Sequence, residues 1–311
     1  MTEEKIVLCA DPAYPLNGML TLPDDLSEKV PAVVFVHGSG SSNMDEKIYK
    51  ITPFRDLAHG LAARGIASVR YDKRSYVHPL KLLRAAKGRL TVKEETIDDA
   101  IAAAELLRGD ARIDPDRVFI VGHSMGGMLA PRIDADGGNF RGLVIMAGTP
   151  RKLEEVVLDQ LAATEKTVPS LLRGIFKKQA AKYEKLFDGL YDLTDEEAMK
   201  KQFGGGMTLY YFKEMGQRQT AEVLQACQKP MLIMQGEKDV QVSAERDFAL
   251  YKKLLSDRAD VQFRLYEGLS HAFVPAIYGT IDKAAKEFKV EQHIGDTVLD
   301  DIADFIYQQN A

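Results

Sequence analysis

Residues 117–122 read as a strand, apolar from Val118 onward, that ends directly in Gly122-His-Ser124-Met-Gly126 and runs on into Gly127-Met-Leu-Ala130. The strand must turn into a helix within that motif, with Ser124 at the turn. Glycines flank the serine because side chains there would strike neighbouring backbone. The turn leaves the Ser124 hydroxyl clear of the sheet, in the strained position that nucleophilic serines occupy. Such an elbow belongs to open sheets with crossover helices, so the expected fold class is α/β.

The rest of the chain follows that class. Short apolar runs alternate with amphipathic stretches, as expected of parallel strands joined by helices. The clearest run is Pro31-Ala-Val-Val-Phe-Val36, with others at 66–71, 142–147, 231–235 and 261–266. Residues 18–22 suggest an antiparallel edge hairpin. Helices are expected over 54–64, 92–108, 243–255 and 297–308, with Ser243 as a cap. Residues 39–50 and 73–89 read as surface loops.

Residues 150–228 break the alternation. They hold helical pattern, no convincing parallel strand and a hinge-like Gly204-Gly-Gly206. A stretch so long between two strands is not a simple loop. The expectation is a single domain over 1–311, built on a doubly wound and mostly parallel sheet, with a helical cap inserted at 150–228.

Composition narrows the partners. Lys and Arg number 41 against 46 Asp and Glu, a net charge of −5. That balance speaks against a general grip on nucleic acid or an anionic membrane. No run reaches the roughly 20 apolar residues that cross a bilayer. Met1-Thr-Glu-Glu-Lys5 lacks the order of a signal peptide, so the expected location is cytoplasmic. Cys9 and Cys227 are too few for a disulfide framework or a four-ligand zinc site. No metal-ligand spacing and no G-x-G-x-x-G occurs, so no metal or cofactor is expected. A homodimer is left open.

A serine hydroxyl needs a base, and the base needs a third group to hold it. In this architecture they follow in the order serine, acid, histidine. The run at 231–235 leads into Gly236-Glu-Lys-Asp239, and that at 261–266 into Gly268-Leu-Ser-His271. Both lie past strand C-termini, where open α/β sheets build their sites. Asp239 is preferred to Glu237 because it lies deeper in the turn. Asp257 and Asp260 fall at the opposite edge.

Of six histidines, His271 alone follows both the serine and the acid on a post-strand turn. His123 occupies the elbow and points away from Ser124, in a packing role. His59 and His293 read as structural or solvated, and His78 precedes the serine. An oxyanion also needs donors. The Met125 N–H follows the nucleophile directly, and in His37-Gly38-Ser39-Gly40 the turn at Gly38 would leave the Ser39 N–H as the second.

With these residues in place, the chain resembles an α/β-hydrolase, close to bacterial carboxylesterases of the serine-aminopeptidase-like and dienelactone-hydrolase-like branch. The resemblance rests on His37-Gly-Ser-Gly40, Pro53-Phe-Arg-Asp-Leu57, Arg70-Tyr-Asp-Lys-Arg74 and Thr91-Val-Lys-Glu-Glu-Thr96. It continues through Gly122-His-Ser-Met-Gly126, Ala147-Gly-Thr-Pro150, Gln235-Gly-Glu-Lys-Asp239 and Leu269-Ser-His271, and covers nearly all of residues 15–310. It implies a triad of Ser124, Asp239 and His271 in a serine carboxylesterase of small acyl esters, short-chain or aromatic. Related esterases carry a Pro and an Asp-Arg-Asp run after the His-Gly-Ser-Gly turn, where Ser41-Ser-Asn-Met-Asp45 stands here. Residues 204–219 also differ. Both departures fall where acyl or alcohol groups would bind.

Other readings of the same triad are an aminopeptidase or amidase and a thioesterase. An aminopeptidase would want carboxylates near the site for a free amine, a role open to Glu154 and Glu155. A non-catalytic binding protein would commonly have lost one of the three residues. Gly38 would border the substrate, while Tyr210, Tyr211 and Phe212 could form either an aromatic acyl pocket or cap core. Tyr71-Asp-Lys-Arg74 is read as hydrogen-bonding neighbouring loops rather than holding a substrate carboxylate.

Overall fold

Val30–Val36 is buried at every position, as a strand covered on both faces must be. In the computed structural model, which describes residues 1–218 and 220–309, this strand is β3 of an eight-stranded sheet. The others are β1 (Thr2–Leu8), β2 (Leu16–Leu22), β4 (Ala67–Tyr71), β5 (Ile113–His123), β6 (Leu143–Met146), β9 (Met231–Gly236) and β10 (Val261–Tyr266). Their order is β1-β2-β4-β3-β5-β6-β9-β10, with β7 (Gln202–Gly204) and β8 (Met207–Thr208) in a separate hairpin. Within the eight-stranded sheet, β2 pairs antiparallel with β1 and β4, and every other pairing is parallel. Strand β1 gives no apolar run because, at the edge, it leaves Thr2, Glu3, Lys5 and Val7 exposed.

Successive side chains of β3 enter opposite cores, as the pleat requires. Val34 and Val36 join one core, with Ala104, Leu107, Met128 and Leu129. Val33 and Phe35 join the other, with Phe54, Leu57, Ile302 and Phe305. The helices responsible are α4 (Asp98–Gly109) and α5 (Met125–Ile133) on the first face. On the second are α1 (Pro53–Ala62) and α13 (Asp296–Gln308). Between β4 and α4 lie α2 (Arg74–Val77) and α3 (Pro79–Ala86).

The segment between β6 and β9 holds α6 (Leu153–Thr167), α7 (Ser170–Phe187), α8 (Asp195–Lys200), α9 (Leu209–Gln217) and α10 (Thr220–Ala226). Gly204, Gly205 and Gly206 lie at a hairpin turn. All three take positive φ in the turn of the β7–β8 hairpin. A Cβ on Gly206 would meet Leu83 Cδ1 at 2.5 Å, so the turn is seated on α3. Gln219, the last residue of the divergent stretch at 204–219, lies outside the described residues.

After β9, a π-helical turn at Ala244–Phe248 leads into α11 (Ala249–Leu254). Ser243 makes no side-chain cap there; its backbone N–H donates to Asp247 Oδ2 at 2.9 Å. The short α12 (Ala284–Glu287) follows β10. The C-terminal ends of β3, β5, β9 and β10 thus meet at one edge of the sheet.

Candidate active site

Ser124 stands between β5 and α5 with φ 53° and ψ −116°, a conformation that non-glycine residues rarely adopt. Surrounding contacts over-determine it. A Cβ on Gly126 would lie 2.1 Å from the Val36 carbonyl oxygen, and one on Gly122 would lie 2.3 Å from that of Gly126. Only glycine lets helix α5 approach the sheet this closely. The Ser124 N–H donates to Met146 O at 2.8 Å and its carbonyl accepts from Met128 N–H at 3.0 Å, which pins the elbow on both sides.

Past β10, the His271 Nδ1–H donates to Asp239 Oδ2 at 2.6 Å, and both side chains are buried. The same oxygen accepts from Gln235 Nε2 at 2.8 Å. Asp239 Oδ1 accepts the N–H groups of Gln241 at 2.8 Å and Val242 at 3.0 Å. Four donors fix the orientation of this carboxylate toward one imidazole nitrogen. Glu237 is exposed and bonds Lys238 and the Gly268 N–H instead.

Ser124 and His271 open on one cavity of about 560 Å³. Its walls include Gly38 and Ser39 after β3, Val157, Gln160, Leu161 and Thr164 of α6, and Gln241 after β9. Ile281, Ala284, Ala285 and Phe288 close another side. Nothing in local pattern marks these last four, because a single helical turn offers no periodicity to count. Ser39 borders the cavity, and Met125 starts α5, where backbone N–H groups lack intrahelical acceptors.

Gly38 differs from its expected use. Its φ is not in the left-handed region; that belongs to Gly40, at 83°. What excludes a side chain at Gly38 is proximity, since a Cβ would stand 3.2 Å from that of Ser124. Its N–H donates to Glu46 Oε1 at 2.9 Å and its carbonyl accepts from Lys73 Nζ at 3.0 Å.

Tyr210, Tyr211 and Phe212 do not line this cavity, so the acyl-pocket alternative is corrected to cap core. Phe212 packs on Phe203 and Phe187, with ring centroids 4.6 and 5.0 Å apart. Tyr211 donates to Glu95 Oε2 at 2.6 Å, and Tyr210 packs against the same core. Helix α9 turns its aromatic face inward, a choice its sequence cannot reveal alone. Glu154 and Glu155 do not line the cavity either, and Glu154 accepts from Tyr191 Oη.

The Tyr71–Arg74 turn holds loops in place. Asp72 Oδ1 accepts the Met44 N–H at 2.8 Å, and Arg74 Nε donates to buried Asp99 at 3.0 Å. Burial outweighs that bond and pushes the Asp99 carboxyl up to about 6.

His123 carries more than packing. Its Nε2–H donates to the backbone carbonyl of His271 at 2.9 Å, and its Nδ1 lies 2.9 Å from Glu46 Oε2. Of the remaining histidines, His37 Nε2 contacts Asn43 O, and burial pushes its imidazole down to about 4. His59 contacts Glu3, His78 the Pro15 carbonyl and His293 Asp56, none of them at the cavity.

Comparison with known proteins now bears on this geometry. The description of the serine aminopeptidase family S33 matches residues 27–275. The chain belongs to that family. Among curated proteins, this S33 family member is 35% identical over 288 residues to esterase EstD of Thermotoga maritima, covering 93% of this chain. It spans only 64% of that relative's length. Among solved structures, Est1E of Butyrivibrio proteoclasticus superposes with a TM-score of 0.57 at 15% identity, over 98% of each chain. A puromycin-hydrolysing peptidase of Mycobacterium tuberculosis gives 0.62 at 17% identity, over 99% of this chain and 39% of that one. At such identities the likeness concerns the fold, which is the α/β-hydrolase fold.

Proposed function

We propose that this protein is a serine carboxylesterase acting on small-molecule esters, with Ser124, Asp239 and His271 as its catalytic residues. The observation that carries the proposal is the Asp239–His271 contact of 2.6 Å at the cavity into which the Ser124 elbow opens. Asp239 accepts a hydrogen bond from the Nδ1–H and so presents Nε2 as the base. Nε2 takes the Ser124 proton as Oγ attacks the ester carbonyl. The oxyanion is held by the Ser39 and Met125 N–H groups, and His271 then protonates the departing alcohol. Water, activated by the same nitrogen, releases the acid from the acyl-serine and restores the enzyme.

Ester is favoured over peptide by what the cavity lacks. Among the described residues, Glu46 is the one carboxylate lining it, and that group is committed to Gly38 and His123. Nothing acidic is left to receive a substrate's free amine. The family's aminopeptidase description keeps amide cleavage as a second reading. Turnover of p-nitrophenyl acetate against an amino-acid p-nitroanilide at equal concentration decides between them. Faster amide cleavage overturns the ester reading.

The insertion at 150–228 is proposed as the cap that selects substrate, since α6 supplies one cavity wall. A cytoplasmic location is proposed with it, on the unpaired thiols of Cys9 and Cys227. Among the described residues no helix is long and apolar enough to cross a membrane.

A further inference from the structure

One of the two proposed oxyanion donors, the Ser39 N–H, belongs to the peptide unit between Gly38 and Ser39. A peptide is planar, so its C=O and N–H point in fixed, opposed directions. The Gly38 carbonyl and the Ser39 N–H are the two ends of that unit. Whatever fixes the carbonyl therefore aims the N–H.

The group that fixes it is a buried cation. Lys73 is 2% exposed, and its Nζ donates to the Gly38 carbonyl at 3.0 Å. The same ammonium lies 3.2 Å from Glu95 Oε1, and Glu95 Oε2 accepts from Tyr211 Oη at 2.6 Å. On the other side of Gly38, the N–H donates to Glu46 Oε1 at 2.9 Å. A carboxylate thus holds the peptide before Gly38 and an ammonium holds the peptide after it. Burying an ammonium is costly, and an apolar side chain would fill the space without that penalty. What the ammonium adds is polarisation, because a cation on the carbonyl makes the N–H at the far end a stronger donor.

We infer that Lys73 is a positioning residue of the oxyanion hole, acting through the Gly38–Ser39 peptide on the charge that develops at the substrate carbonyl. This rests on the proposed use of Ser124 and the Ser39 N–H. Lys73 touches no substrate. Its effect appears in the transition state, where the oxygen carries charge, and not in the binding of a neutral ester.

The test removes the charge without stranding its partner. The double variant Lys73→Met with Glu95→Gln is neutral and keeps an acceptor for Tyr211. Active sites are counted by covalent labelling of Ser124 with a fluorophosphonate, and rates are expressed per labelled site. With p-nitrophenyl butyrate, kcat is expected to fall by about tenfold or more while KM stays within about threefold, a weakened donor costing less than a deleted one. Affinity for an arylboronic acid, whose serine adduct carries the same oxyanion, should fall by the same factor as kcat/KM. If the double variant is not labelled, Lys73→Gln, which removes the charge and retains a donor, is read by the same measures.

The inference is overturned by a labelled variant whose kcat and boronate affinity match the wild type within about twofold. It is equally overturned if KM alone changes. A wild type that prefers amides would sink the ester reading and leave this test intact, because the boronate adduct probes the oxyanion of either reaction. A wild type that the fluorophosphonate leaves unlabelled would overturn both.

Discussion

His123 Nδ1 lies 2.9 Å from Glu46 Oε2, and both side chains are buried beneath the Ser124 elbow. It is a close ion pair rather than an aligned hydrogen bond. Burial alone would raise the Glu46 carboxyl, but the imidazolium outweighs it and holds the group below the ordinary carboxylate range. Burial alone would lower His123, but the carboxylate holds it above the ordinary imidazole range. The pair links the turn after β3 to the loop that carries His271, through Gly38 N–H and the His271 carbonyl.

The pH dependence of stability follows from those two directions. A depressed acid contributes stability above its ordinary value of 4.5, and loses it as pH falls through the lower folded value. A raised histidine contributes below 6.5 and loses it as pH rises through the higher folded value. The stability difference between wild type and Glu46→Gln should therefore be widest between 4.5 and 6.5, measured by urea unfolding across pH. Its size there should be about 3 kcal/mol, as when a buried pair loses one partner. A difference that stays constant from acid to alkaline pH would contradict the pairing.

Removing the proposed nucleophile by Ser124→Ala should abolish ester hydrolysis while leaving thermal unfolding unchanged. Asp239→Asn should lower kcat by about 10⁴, because an amide can present its N–H to His271 Nδ1 and stabilise the wrong tautomer. Stopped-flow acylation with p-nitrophenyl acetate checks both. An Asp239→Asn protein within tenfold of the wild type would assign the orienting role elsewhere.

Substrate size should answer to α6 and the segment carrying α12, not to α9. Leu161 and Ala284 both line the cavity beside Ser124. Leu161→Trp should cut kcat/KM for cinnamoyl esters about tenfold or more while sparing acetyl esters, since added bulk excludes only the larger acyl group. Tyr210→Ala should leave both unchanged. A panel of acetyl, butyryl, octanoyl and cinnamoyl p-nitrophenyl esters separates these outcomes, and sensitivity at Tyr210 would return the acyl pocket to α9.

Gly126→Ala should fail to yield folded protein. The added methyl would sit 2.1 Å from the Val36 carbonyl oxygen, against backbone in the middle of the sheet. Moving α5 would open the first core and moving β3 would open both, so the loss should exceed about 4 kcal/mol. Soluble expression and circular dichroism would show it. A folded, labelled Gly126→Ala protein would mean that the elbow tolerates more separation than its contacts indicate.

Local sequence determined the elbow, because Gly122 and Gly126 are steric demands of a strand turning into a helix, and such demands act over a few residues. The order of Asp239 and His271 after their strands was also legible, since parallel strands deliver their C-termini to one edge. Strand β1 was hidden by its exposed edge position, and the β7–β8 hairpin by its brevity. The aromatic run at 210–212 left its facing open, because helical periodicity identifies an apolar face and not what it meets.

What only the tertiary structure decided is the company each charge keeps. Glu46 is 77 residues from His123 in sequence, and Lys73 is 35 residues from Gly38. Nothing local distinguishes either charge from a solvated surface group. Closing the sheet brings both onto one glycine and excludes water around them. A buried charge must then find a partner, so the fold assigns these residues their roles.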